Sequence, residues 1–190
     1  MTKNDIEIFA IIALCILSVI LFIWIPAHPV SSFDMELNAF VDRYLFGNGY
    51  YKPTRYPFTS KVVNGFSTAA FFITPFFFTF WNPRKKLYED PSLKRILVFY
   101  IFGFIFLILL IRTSILPKEF LISTGRRGFG HTESFHNTPF LFMLFMLMKN
   151  FTIYACIRAL GQLSFASYEM LKTHRLEKAW AKKQREWRDK

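Results

Sequence analysis

The chain has 190 residues, of which 53% are hydrophobic and 25 are Phe, with a formal net charge of +11. Its apolar residues gather into runs of about 20, enough to cross a ~30 Å hydrocarbon core at ~1.5 Å per residue, which excludes an ordinary soluble domain. Its Lys and Arg are spread over loops and flanks with no nucleic-acid-binding motif among them, so the charge reads as membrane topology and no nucleic-acid partner is expected.

Met1 to Glu7 reads as a short polar leader, followed by a first span over about 8–25. That run ends at Trp24, a residue favoured at membrane interfaces, and at Pro26 and Pro29, which stop a helix. Ile25-Pro-Ala27-His lacks the small-x-small pattern of a cleavage site, so the run is expected to stay as a span. The polar segment 28–61 contains a helix over Ser32 to Phe46. Ser32 is its expected cap, and Phe33, Leu37, Phe40, Val41 and Tyr44 recur at helical spacing, which describes an amphipathic helix on the membrane surface or over the bundle. Gly47-Asn-Gly49 is expected to end it, and Tyr50, Tyr51 and Tyr56 suit an interface.

The second span covers about 62–81, with Asn64, Ser67 and Thr68 near its start and Pro75 within it. A basic segment, 82–95, leads to the third span, 96–116, which carries Arg112 close enough to its end to snorkel outward. An Arg- and Gly-rich loop, 117–137, precedes the fourth span, 138–160, and a basic tail, 161–190, reads as a continuing helix that anchors on anionic lipid headgroups. Cys15 and Cys156 lie inside apolar runs and read as small core residues. With four spans, the N-terminus, the middle segment and the tail share one side and carry fourteen Lys and Arg, against seven on the other. The positive-inside rule then puts both termini in the cytoplasm and the segments 28–61 and 117–137 outside, in the periplasm of a bacterial inner membrane. The expected fold is therefore all-α: an integral membrane four-helix bundle forming one domain, with a periplasmic amphipathic helix and a basic cytoplasmic C-terminal helix.

Charges inside the spans are the chemically informative residues. Lys149 lies about 15 Å along the fourth span, near the midplane, where a charge costs at least ~2.5 kcal/mol. No Asp or Glu is expected inside a span to pair with it, which leaves backbone carbonyls, Asn150, Asn64, or an acid from another protein. Arg158 falls about half a turn round the helix from Lys149 and is expected to snorkel to the cytoplasmic side. In the loop, His131, Glu133 and His136 lack a further Cys or acidic cluster, so a metal is not expected. Gly125, Gly128 and Gly130 permit an open turn in which Arg126 and Arg127 present forked donors to a carboxylate or phosphate. No nucleophile–base pair or phosphate loop is present, so neither catalysis nor a cofactor is expected.

Two local motifs carry a resemblance. Pro57-Phe-Thr-Ser-Lys61-Val62, followed by Ala69-Ala-Phe-Phe72, is similar to a Pro-x-x-Thr-Lys-Val element, and Thr124-Gly125-Arg126, with Asn137 before the last span, is similar to a Thr-Ala-Gly-Arg element. Both belong to the immunity proteins to pore-forming colicins of the colicin A type, which the chain resembles over about Pro57 to Asn137. The Ala of the second element is missing, the stretch from Arg126 to Asn137 is longer, and neither Ser32–Gly49 nor the tail has a counterpart. The resemblance implies a small inner-membrane protein that binds the pore-forming domain of a bacteriocin within the membrane and blocks channel opening. On that reading Lys149, Asn150, Asn64 and Arg112 are the toxin-binding candidates in the bilayer, with Arg126 and Arg127 at its outer surface. A homo-oligomer is compatible with the same sequence. The alternatives are a membrane factor that blocks conjugation or superinfection, an accessory subunit of a larger complex, and, less in keeping with four spans and no internal repeat, a small transporter.

Overall fold

The computed structural model describes residues 2–45, 50–83, 93–120 and 131–188. Four of its helices are long and apolar enough to cross a membrane: α1 (Lys3–Trp24), α3 (Pro57–Trp81), α4 (Leu93–Ile115) and α6 (Pro139–Arg188). A shorter helix, α2 (Ser32–Tyr44), and a single turn, α5 (Glu133–His136), complete the helices among the described residues.

The helix starts differ from the expected ones for local reasons. α1 begins at Lys3 because Thr2 and Asp5 form a capping box: the Thr2 hydroxyl accepts from the Asp5 amide at 3.2 Å, and the Asp5 carboxylate accepts from the Thr2 amide at 2.6 Å. Lys3 to Glu7, expected to be a polar leader, therefore open the helix. In α2 the cap is Ser31 rather than Ser32, again boxed with Asp34 three residues on. α3 starts at Pro57, whose fixed φ and missing N–H suit a first helical position, five residues before the expected span. Pro75 stays inside α3, and the Thr79 hydroxyl donates to its carbonyl at 2.7 Å. α6 runs for 50 residues, about 75 Å, so the fourth span and the basic tail are one helix as expected.

α3 and α6 form the centre, with α1 against α3 and α4 against α6. Gly161 of α6 makes the central contact possible: a Cβ there would sit 2.4 Å from the Thr79 methyl. Gly103 plays the same part on α4, where a Cβ would lie 2.9 Å from Leu160. α1 and α4 present most of their surface outward, and Phe9, Ile23, Phe102 and Phe104 are more than half exposed, as lipid-facing side chains are.

α2 lies across the start of α3. Leu37 and Val41 pack on Phe58 and Val62, and Lys61 reaches back to Asp42 at 2.6 Å and Asn38 at 2.7 Å. The expected apolar stripe is thus divided: Phe33, Phe40 and Tyr44 stand exposed on a second flank. The region expected to close α2, Gly47 to Gly49, lies outside the described residues. One feature departs from an all-α fold. Tyr50–Tyr51 (β1) pairs in parallel with Pro117–Lys118 (β2), Tyr50 opposite Pro117, with Tyr50 in the left-handed region at φ 65°. This pairing turns Tyr50 and Tyr51 inward, where they join Tyr56, Val63, Phe142 and Met146 in a buried cluster rather than lying on a membrane surface.

Candidate functional site

Three polar groupings lie within this apolar frame. The first joins α3 to α6. Asn64, Ser67 and Thr68 are three and four residues apart and so share one face of α3. Lys149 and Asn150 meet that face. The Lys149 ammonium donates to Asn64 Oδ1 at 2.6 Å and approaches Thr68 Oγ1 at 3.5 Å, with its Nζ 4.4 Å from the centre of the Tyr50 ring. Asn150 Nδ2 donates to the Ser67 hydroxyl at 2.8 Å, and its Oδ1 accepts from Thr68 at 3.2 Å. Asn64 Nδ2 reaches the Ser114 carbonyl on α4 at 3.4 Å. Asn64 and Asn150 are buried. Among the partners weighed from the sequence for Lys149, the structure selects Asn64. Three of the six candidate residues therefore form one network that knits α3, α4 and α6 and satisfies its own donors.

The second grouping corrects the sequence reading. Arg158 does not snorkel: it is buried and grips Glu7 through Nε at 2.7 Å and Nη2 at 3.0 Å, and Nη2 also donates to the Asn82 carbonyl at 2.8 Å. The Tyr154 hydroxyl, one turn earlier on α6, donates to the same carboxylate at 2.6 Å. Burying an ion pair requires pairing of this kind, and it leaves only Arg158 Nη1 of the guanidinium buried without a hydrogen-bond partner among the described residues. Glu7 is hence an acid inside a membrane-length helix, contrary to the expectation that none would be found there. The signal was present in Thr2-Lys-Asn-Asp5, a capping box that begins a helix, and in Tyr154 and Arg158 at i, i+4.

The third grouping sits at the loop end of the bundle, where α5, the two strands and the residues just before α3 meet. The Tyr51 hydroxyl bonds His131, the Tyr56 hydroxyl donates to the His136 carbonyl, and the His136 ring stacks on Tyr51 at 4.0 Å. Glu133 accepts from Thr54 at 2.7 Å, and Asn137 Oδ1 accepts from the Arg55 amide at 3.2 Å. His131, Glu133 and His136 are thus shared among different partners and serve to hold the two loops together. Burial pushes the Tyr56 phenol up to about 12, raises Tyr50 and Tyr51, and lowers Lys118.

The remaining candidates lie elsewhere. Arg112, in the last turn of α4, is exposed and its side chain makes no hydrogen bond or ion pair among the described residues. Arg126 and Arg127 lie outside the described residues. Set against protein-family models, characterised proteins and solved structures, the chain matches none.

Proposed function

We propose that this chain is a bacteriocin immunity protein: a multi-pass protein of a bacterial inner membrane that binds the pore-forming domain of a toxin in the bilayer and keeps its channel closed. The observation that carries the reading is Arg112. A charged side chain at the end of a membrane-length helix, exposed and without a partner among the described residues, is a group that a binding partner can match. It ends the outward face of α4, whose Val98, Phe102, Ile105 and Leu109 offer close apolar packing to an inserted helix. The loop that follows carries Arg126 in the Thr124-Gly125-Arg126 element similar to that of the colicin A-type immunity proteins, with Arg127 beside it. Recognition on this reading falls to α4 and its loop, and the network of Lys149, Asn64 and Asn150 keeps α4 in register through Ser114.

The excess of Lys and Arg on the termini and middle segment supports cytoplasmic termini, with α2 and the loop end of the bundle in the periplasm, where an arriving toxin is met. The test is protection. A sensitive bacterium expressing the chain at low level is challenged with a panel of pore-forming and nuclease bacteriocins while membrane potential is recorded. The expected result is retained potential against one pore-former with nuclease toxins still killing. Depolarisation by every pore-former, with the protein confirmed in the membrane, goes against the proposal.

A further inference from the structure

The tail end of the bundle holds a groove that the proposed toxin contacts do not use. There α3 and α4 each touch α6, at Thr79–Gly161 and Tyr100–Ser164, and between them lies a cavity of about 640 Å³, within the ~300–1,000 Å³ of ligand-sized pockets. Its walls are apolar, chiefly Phe76, Phe80, Phe104, Leu107 and Leu160. Its mouth is not. The Tyr100 hydroxyl donates to Ser164 there, and Tyr168 lies one turn beyond Ser164.

Depth and charge say what fits. From Pro139, a ~30 Å core takes α6 about 20 residues, to near Leu160. The Phe walls therefore lie at acyl-chain depth in the leaflet on the tail side, and Ser164 and Tyr168 lie at headgroup depth. At about 100° per residue, Gly161, Ser164, Tyr168, Lys172 and Arg175 share one face of α6. Lys172 and Arg175 are exposed and continue the groove's line past its mouth, while Glu169 is turned away from that line by about a quarter of a circle. An apolar slot at the tail-side edge of the core, opening onto hydroxyls with two cations further along the same helix face, is complementary to one kind of molecule.

We infer that the groove between α3, α4 and α6 is a binding site for one anionic diacyl phospholipid, its acyl chain lying along Phe104 and Leu160 and its phosphate meeting Tyr168, Lys172 and Arg175. The bound lipid is a structural ligand that fills the gap at the tail end and fixes the angle at which the long α6 leaves the membrane. The site goes beyond a general attraction of the basic tail for anionic headgroups, because it also requires the slot.

Native mass spectrometry of the detergent-solubilised full chain tests this with dioleoyl-phosphatidylglycerol and dioleoyl-phosphatidylcholine, which differ only in the headgroup. The wild type is expected to retain one phosphatidylglycerol about 30-fold better than phosphatidylcholine, the ratio for two cations at a headgroup. K172Q/R175Q, at exposed positions that do not endanger folding, is expected to lose that preference. S164F, which fills the mouth and leaves both cations in place, is expected to lose retention of both lipids with helicity unchanged. Equal retention of the two lipids by the wild type overturns the headgroup contacts. Full phosphatidylglycerol retention by S164F overturns the slot and leaves only diffuse attraction to the tail. None of these outcomes depends on toxin protection, so failure here and failure of the immunity reading are distinguishable.

Discussion

Glu7 and Arg158, 151 positions apart in the chain, close on each other in a forked pair, with guanidinium Nε 2.7 Å from Oε1 and Nη2 3.0 Å from Oε2. The pair ties the first membrane-length helix to the last, which also meet where Phe22 stacks on Phe142. Removing either partner leaves the other charge buried, at a cost of about 3–5 kcal/mol, whereas replacing both by apolar residues is close to neutral. Glu7→Leu and Arg158→Leu are each expected to lower the unfolding midpoint in detergent sharply, and the double variant to recover most of the loss. Additive losses would mean that the two side chains act separately.

Lys149 allows a similar separation of roles. Lys149→Met leaves the Asn64 and Thr68 oxygens without their ammonium, an expected loss of about 1–3 kcal/mol. Adding Asn64→Leu removes the main unmatched oxygen and is expected to restore part of that stability. On the proposed function, Lys149→Met also weakens protection by letting α4 shift, and the double variant, which lacks the Asn64–Ser114 contact as well, does not regain it. Full protection by the double variant would show that the network does not support the toxin-facing side of α4.

Arg112 is the converse case. It is exposed and holds nothing together among the described residues, so Arg112→Gln is expected to change stability by less than about 0.5 kcal/mol. Protection against the cognate toxin is expected to fall, and to fall further with Arg112→Glu, since a mismatched charge repels a partner built for the opposite sign. Unchanged protection by both variants at matched expression would remove α4's outer end from the interface.

These expectations show which features the sequence carried in legible form. Runs of apolar residues marked all four long helices, and spacing marked α2 and the helical tail, because burial in lipid or against a helix imposes a pattern on neighbouring residues. Lys149 stood out since its depth could be counted, and Asn64 was one of several partners open to it. Glu7 was obscured because an apolar-run reading starts only at Ile8, and its partner lies on the last long helix. Arg158 was misread for the same reason, as an arginine near a span's end looks like an anchor until an acid is found for it. The pairing of Tyr50 with Pro117 involves two residues on each strand, too few for any alternation to show.

Close packing at Gly161 gives a prediction independent of charge. A Cβ there meets the Thr79 methyl at 2.4 Å and Thr79 Oγ1 at 2.7 Å, and Thr79, being branched at Cβ and bonded to the Pro75 carbonyl, has little freedom to yield. Gly161→Ala is expected to cost about 1–3 kcal/mol by forcing α3 and α6 apart. Thr79→Ala, which empties the same space, is expected to relieve most of that cost in the double variant, a coupling that a thermodynamic cycle reads directly.

Tyr56 supplies the pH dependence. Its phenol is held up to about 12 by burial, against an ordinary value near 10. The unfolded chain therefore releases this proton first. Between pH 10 and about 12 the unfolded state binds fewer protons than the folded one, so stability falls as pH rises through that window. Tyr50, also raised by burial, acts in the same direction. Tyr56→Phe loses the hydrogen bond to the His136 carbonyl, at about 1 kcal/mol, so the variant is expected to be less stable at pH 8. It is also expected to lose stability less steeply above pH 10, and chemical denaturation at several pH values in detergent compares the two slopes. Parallel slopes for wild type and variant would show that Tyr56 is open to solvent, and with it the loop end of the bundle.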